Sequence, residues 1–336
     1  MESPKFDALD RRLIQALQLD PRMPFSRIAE VLGVSDQTIA RRYTRLRTEG
    51  YLRVLASIDP SLMGEVMWIV RVQCKPDGAE KLGQTLALRD DTAWVCMSSG
   101  GTEISCSTWA PAGMMQEPSL LLARLPRTPS VVSMSAHCIM HTFFGGSRGL
   151  TLKSGALTPE EVAALEPERP LAPDAGAGAS EREPIRLEDG DRRMLAVLGR
   201  DARAELTELA AATGWSQSTV RRRLAQLRAS GVVFLDVDYD YRIYNLMTRV
   251  LLWASVAPAE LESAGLALAS HPEVAYASAT TGVTNLHAVL LCTDLNSLYT
   301  YLTTRVAPLG VRQVETSPIM RTLKGPATVR APRGVG

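Results

Sequence analysis

The chain has 336 residues, 37 basic and 36 acidic side chains and a formal net charge of +1. That length is too great for one ordinary domain, and the balanced charge excludes a chain that is basic throughout, so any nucleic-acid contact must be a local patch. The five cysteines form no C-x-x-C pair, which argues against a zinc ribbon or disulfide frame and for a reducing compartment. No run approaches the ~18 apolar residues of a membrane helix, and the opening MESPKFDALDRRLIQAL lacks an apolar signal core. A soluble, cytoplasmic protein with no membrane partner is expected.

In chain order, Leu9, Leu13, Ile14 and Leu17 recur at helical spacing, and the stretch from Pro21 to Pro24 ends that helix. Ser26 is placed to cap a second helix carrying Ile28, Ala29, Val31 and Leu32. Gly33 supplies the left-handed residue that stops it, and Ser35 caps a third helix that runs to Gly50. Two short helices joined by a tight glycine-containing turn make a helix-turn-helix. On the third helix Ile39, Tyr43 and Leu46 form the apolar stripe, and Gln37, Arg41, Thr44, Arg45 and Thr48 lie opposite. Such a face suits the major groove, where arginine pairs with guanine and glutamine with adenine. Further arginines such as Arg42 fix register on phosphates. Residues 1–55 hold ten basic and seven acidic side chains, and after Asp36 the sole acid in that window is Glu49. Positive charge therefore gathers on the third helix.

The pattern then changes to strands. VMWIVRV (66–72) is β-prone, and an Ala/Leu helix runs from Glu80 to Leu88. TAWVCMSS and EISCSTWA read as strands, followed by a helix near Glu117–Leu125 and the strand SVVSMSAHCIMHTFF. This order is βαββαβ, the ferredoxin-like arrangement. Residues 151–184 read as a linker, flexible in its Pro/Ala/Gly half. Its LTPEEVAAL segment is compatible with one short helix, capped by Thr158 with Pro159 first.

The whole unit then repeats. Asp191 follows Asp10 by 181 residues, and at that offset the chain matches itself without a gap at Arg11/Arg192, Arg12/Arg193, Asp20/Asp201, Arg22/Arg203, Gly33/Gly214, Ser35/Ser216, Thr38/Thr219, Arg41/Arg222, Arg42/Arg223 and Gly50/Gly231. Agreement at turn glycines as well as apolar positions marks a true internal repeat. The second third-helix has Val220, Leu224 and Leu227 inside and Ser218, Arg222, Ala225, Gln226 and Ala229 outside. RVLLWASV, a helix from Glu260, VAYASATT, LHAVLLC, a helix near Leu295–Val306 and VRQVETSPIM repeat the sheet pattern. The expected fold class is α+β. Two winged-helix-like helix-turn-helix domains (5–55 and 185–237) alternate with two ferredoxin-like βαββαβ domains for effector binding and oligomerisation (64–146 and 245–325).

At these segments the sequence resembles the Lrp/AsnC family of transcription regulators, twice over nearly the whole chain. LDRRLIQALQLDPRMPFSRIAEVLGVS, ARRYTRLRTEGYL, GDRRMLAVLGRDAR and VRRRLAQLRASGVV carry the resemblance. The family's third helix has an R-x-x-R-L pattern, matched by Arg42, Arg45 and Leu46; the second copy departs from it at Gln226. The resemblance implies double-stranded DNA as partner. Candidate contacts are Ser35, Gln37, Thr38, Arg41, Arg42, Thr44 and Arg45, with Ser216, Ser218, Thr219, Arg221, Arg222 and Arg223 in the second head. It also implies a small effector such as an amino acid, at a loop between the second and third strands. The matching positions are Gly100, Thr102 and Glu103, and Gly282, Thr284 and Asn285, where Glu103 is suited to accept a hydrogen bond from an ammonium group. The family's usual aspartate is absent from both copies. A chain that forms its own pseudo-two-fold pair, with further homo-oligomers from open sheet faces, is expected.

No metal, cofactor or catalytic residue is expected. His137 and His141 share a strand face without a completing acid or cysteine. One rival reading is an enzyme, since siroheme decarboxylases resemble this two-domain architecture; the chain's four histidines do not match the T-H-N-Y segment that follows their second strand. Another rival is a metabolite sensor with one degenerate DNA-binding head, the second.

Overall fold

The computed structural model describes residues 6–111, 121–145, 153, 155–166 and 186–325. Helix α1 (Ala8–Leu19) opens with a capping box in which Asp7 accepts the Asp10 N–H and Asp10 accepts the Asp7 N–H. Helix α2 (Phe25–Leu32) is entered through Pro24, and no side chain caps it. Ser26 therefore lies inside the first turn rather than at the expected cap, because proline's fixed φ already sets the entry angle. Gly33 ends α2 at φ 68°, a conformation that a Cβ makes costly. Ser35 caps α3 (Asp36–Thr48), its Oγ accepting the Thr38 N–H at 3.2 Å.

Strand β1 (Leu52–Ile58) leads into the first sheet unit: β2 (Glu65–Cys74), α4 (Pro76–Ala87), β3 (Thr92–Ser98), β4 (Glu103–Pro111), the short α5 (Leu121–Arg124) and β5 (Val131–Phe144). Of the helix expected near 117–125, residues 117–120 lie outside the described part. Helix α6 (Pro159–Leu165) has the expected Thr158 cap and first-turn Pro159. The second unit repeats the order with α7 (Asp189–Leu198), α8 (Leu206–Thr213), α9 (Gln217–Ala229), β6 (Val233–Tyr239), β7 (Thr248–Ser255), α10 (Leu261–Ser270), β8 (Val274–Thr280), β9 (Leu286–Cys292), α11 (Leu295–Tyr301) and β10 (Gln313–Thr322). The expected second sheet-covering helix gives way at Leu302–Val306 to a π-helical turn.

Two joints unite the copies. Strands β1 and β6, which have no counterpart among the predicted elements, pair antiparallel from Leu52↔Tyr239 to Ile58↔Val233. Their inward side chains Val54, Ala56, Leu235 and Val237 join the helices of both heads in one hydrophobic core. The two sheets close into a barrel of order β10-β3-β4-β2-β5-β8-β9-β7. Each copy contributes the ferredoxin-like strand order, and β5–β8 and β10–β3 are the seams. Closure removes the open edges that a lone sheet would leave unpaired. The linker is partly a docked element: α6 packs on α1 and α2, Leu165 is fully buried, and the Leu157 N–H donates to Gln15 Oε1 at 2.8 Å. Arg12 of α1 pairs with Glu161 of α6.

Candidate nucleic-acid interface and effector loops

Each third helix turns Val/Ile/Leu inward and a polar face outward. Ile39, Tyr43 and Leu46 are the buried residues of α3, and Val220, Leu224 and Leu227 those of α9. Ser35, Gln37, Arg41 and Thr44 are exposed on the first head, as are Ser216, Ser218, Arg221 and Arg222 on the second; Thr38 and Thr219 are half-buried. Ser35 and Ser216 spend one acceptor on capping, from the Thr38 and Thr219 N–H groups at 3.2 Å each.

Three arginines are placed differently from the expectation that they face the duplex freely. Arg42 donates to Asp10 Oδ1 at 2.9 Å and pairs with Asp7, while Arg45 donates to Asp10 Oδ2 at 2.7 Å. Asp10 is 0% exposed, and a buried carboxylate requires such partners. In the second head Arg223 grips both oxygens of buried Asp191, at 2.8 and 2.7 Å, and donates to Gln226 Oε1 at 3.1 Å. The departure at Gln226 is thus absorbed by a fork from a single arginine. Burial pushes the Asp191 carboxyl up, but the Arg223 guanidinium and the Glu188 N–H outweigh it and leave the group below its usual range. The R-x-x-R-L pattern ties the third helix to the first helix of its own head.

The two effector loops differ. Ser99, Gly100 and Gly101 have φ of 52°, 72° and 86°, and a Cβ added at Gly100 or Gly101 meets nothing within 4 Å. The first loop is open. Gly282, at the equivalent point, has φ 108°, and its added Cβ would lie 2.8 Å from Nδ1 of His137. That nitrogen is 2.9 Å from the Thr281 carbonyl, and Nε2 lies 3.3 Å from Ser135 Oγ. The second loop is filled by the chain's own histidine. Thr102 Oγ1 donates to Ser99 O at 2.9 Å, and Thr284 is buried.

The acids and amides expected at the loops point inward. Glu103 is 1% exposed. It accepts from Arg71 Nε at 2.9 Å, Gln73 Nε2 at 2.9 Å and Ser99 Oγ at 3.1 Å. Its oxygens are committed, so the expected ammonium acceptor is a structural carboxylate instead; strand alternation puts it on the inner face with Ser105. Asn285 likewise spends its amide on Val256, accepting from the N–H and donating to the carbonyl at 2.9 Å each.

Behind both loops lies a cluster that sequence reasoning missed. Arg71 on β2 and Trp253 on β7 occupy equivalent positions, opposite Ser105 and His287 respectively. They meet across the barrel, with the guanidinium 5.1 Å from the indole centroid. His287 stacks on Trp253 at 4.1 Å and His137 at 4.9 Å. Burial, with the neighbouring charges of His137 and Arg71, lowers His287 to about 3 despite the Leu252 carbonyl. Arg71 also pairs with Glu315 of the second copy. No local motif announces these contacts, because each joins residues far apart in sequence. No group of three ligating side chains occurs among the described residues, His137 and His141 included.

Paired helix-turn-helix heads on a closed α/β barrel define a class, the helix-turn-helix regulators with an attached ligand-binding domain. Two comparisons narrow it. The AsnC-type helix-turn-helix domain matches residues 6–47 and 187–228, and the Lrp/AsnC ligand binding domain matches residues 249–329. The chain belongs to the Lrp/AsnC family. It is 24% identical over 143 residues to the HTH-type transcriptional regulator FL11 of Pyrococcus horikoshii, covering 42% of this chain and 93% of that one. It is 27% identical over 109 residues to the HTH-type transcriptional regulator LrpA of Pyrococcus abyssi, covering 32% and 77%. Among solved structures, the siroheme decarboxylase NirDL shares the fold across 96% of this chain and 93% of that one, with a TM-score of 0.62 and 13% identity. No described helix is long and apolar enough to cross a membrane.

Proposed function

We propose that the chain is a sequence-specific, DNA-binding transcription regulator that reads two half-sites with α3 and α9. The observation that carries this is the pair of exposed polar faces, Gln37, Arg41 and Thr44 on one head and Ser218, Arg221 and Arg222 on the other. Each is free of acids and projects from a helix whose opposite side is core. Arg41 and Arg222 are the base-reading candidates; Arg42, Arg45 and Arg223 brace the helices and lend phosphate contact with whatever donors remain. Selection of sheared genomic DNA by the purified chain, followed by gel shifts at rising salt, tests the reading. Arg41→Ala and Arg222→Ala are each expected to weaken binding by about 10–100-fold. Unchanged affinity in both variants defeats the assignment of these faces.

Effector binding belongs to the first loop. Gly100 and Gly101 are open while the Gly282 loop is occupied by His137, which supports one small-molecule site per chain, amino-acid-like by family. Calorimetry with a panel of amino acids tests this. Gly101→Val is expected to abolish the heat of binding and Val283→Ala to leave it unchanged.

The fold shared with NirDL motivates one control for a tetrapyrrole enzyme. Three histidines are engaged by the protein: buried His137 as above, buried His287 on Leu252, and half-buried His271 on Tyr301 at 2.9 Å. This favours the regulator without catalysis. Turnover of added siroheme, followed by absorption, would reverse that preference.

A further inference from the structure

The turn between α1 and α2 and the turn between α7 and α8 grip each other. Arg22 donates through Nη1 to the Ala202 carbonyl at 2.9 Å and through Nη2 to the Ala204 carbonyl at 3.1 Å. Arg203 donates to the Pro21 carbonyl at 2.8 Å and to the Met23 carbonyl at 3.1 Å. Pro21, Arg22 and Met23 correspond to Ala202, Arg203 and Ala204 at the repeat offset, so the contact is reciprocal about the pseudo-two-fold axis. All four acceptors are carbonyls of buried residues. Carbonyls in such turns lack helical partners and need a donor from elsewhere. Two carbonyls spaced by one residue match the two arms of a guanidinium, whereas an ammonium offers no planar fork.

The grip extends to a reading helix. The Arg203 guanidinium lies 4.4 Å from the Phe25 ring centroid and 5.5 Å from that of Tyr43, a core residue of α3. Arg47, in the last turn of α3, pairs with Asp201 of the second head at 2.8 Å. The Ala202 N–H donates to the Val54 carbonyl at 2.8 Å, tying the same turn to β1. Displacing one head relative to the other therefore breaks several bonds together.

From this geometry we infer that Arg22 and Arg203 form a reciprocal clasp that fixes the separation of α3 and α9, and thereby selects DNA by the spacing of its half-sites. They are positioning residues, acting through the helices rather than touching the duplex. The inference rests on the regulator reading. Two heads held rigidly bind together only where the half-sites lie one helical turn, about 34–36 Å, or a multiple apart. When geometry forbids joint engagement, the avidity of the second head is lost.

The test uses the full chain and the DNA that the wild type selects from a genomic pool, with its half-sites respaced in single base-pair steps. Wild type is expected to lose about 100-fold in affinity when the spacer grows by half a helical turn. Arg22→Lys/Arg203→Lys is expected to lose less than about tenfold over the same change, with affinity for an isolated half-site within twofold of wild type. Spin labels on Gln37→Cys and Ser218→Cys report the separation without DNA: one narrow distance in the wild type, a broadened distribution in the double variant. If the double variant does not fold, by circular dichroism, the two single lysine variants are read in the same way and are expected to broaden partially. A folded variant with wild-type spacing preference, or with an unbroadened distance, overturns the clasp. If the wild type selects no DNA, the regulator reading falls by itself, and an unbroadened label distance still removes the clasp.

Discussion

Trp253 is fully buried where both sheets meet, with Arg71 on one face and two histidine rings against it. Truncating so large a side chain leaves a cavity that the closed barrel cannot collapse into. Trp253→Ala is expected to cost about 3–5 kcal/mol in chemical denaturation, and Trp253→Phe clearly less. Asp236 gives a second expectation. It sits on the two-stranded ladder opposite Leu55; burial first, then repulsion from Asp238, lifts its carboxyl to about 7, against the pull of the Val237 N–H. A carboxyl with a raised folded pKa favours the folded state below its unfolded pKa of about 4 and loses that advantage as pH climbs to about 7. Denaturation midpoints should fall across that window, and Asp236→Asn should flatten the slope and gain on the order of 2 kcal/mol at pH 8. That figure is well below the full shift because the residue is only partly buried, so solvent screens part of the charge. A wild-type slope in Asp236→Asn would assign the effect elsewhere.

Among the elements, the helices of each head were the most legible in sequence, because their boundaries are written in local chemistry. Ser35 and Gly33 mark the ends of neighbouring helices, and removing the Ser35 hydroxyl with Ser35→Ala is expected to cost about 1 kcal/mol by thermal melting. Ser26 misled because a proline two residues earlier had already fixed the entry. Strands β1 and β6 escaped prediction for a different reason. Each is short, and it becomes a strand only by pairing with a segment about 180 residues away. The candidate site divides in the same manner. The outward face of α3 was readable from its period, but the inward turn of Arg42 and Arg45 onto Asp10 depends on how α1 and α3 cross. Glu103 was misplaced because motif spacing locates a residue without telling which face of the strand it occupies.

For the whole molecule, three strand pairings cross between the copies: β1–β6, β5–β8 and β10–β3. Their joint hydrogen bonds and the shared core of the heads should hold the halves together without a peptide link. A specific protease site placed within residues 167–185 provides the check. After cleavage the two fragments are expected to elute as one species at the size of the uncut chain, and to separate only in denaturant. Fragments that part in native buffer would show that covalent tethering, not pairing, maintains the assembly.

The meeting of Arg71 with Trp253 carries an evolutionary corollary. Were the two halves products of the same gene, any residue at that central spot would confront its own duplicate: guanidinium against guanidinium, repelling, or indole against indole. Fusion relaxes that constraint. Positions related by the pseudo-two-fold became free to differ and to attract: His137 of one half plugs its neighbour's loop, while the equivalent position on β10 carries the small Ser317. A single polypeptide has acquired the latitude of a heterodimer without needing to coordinate the expression of two genes.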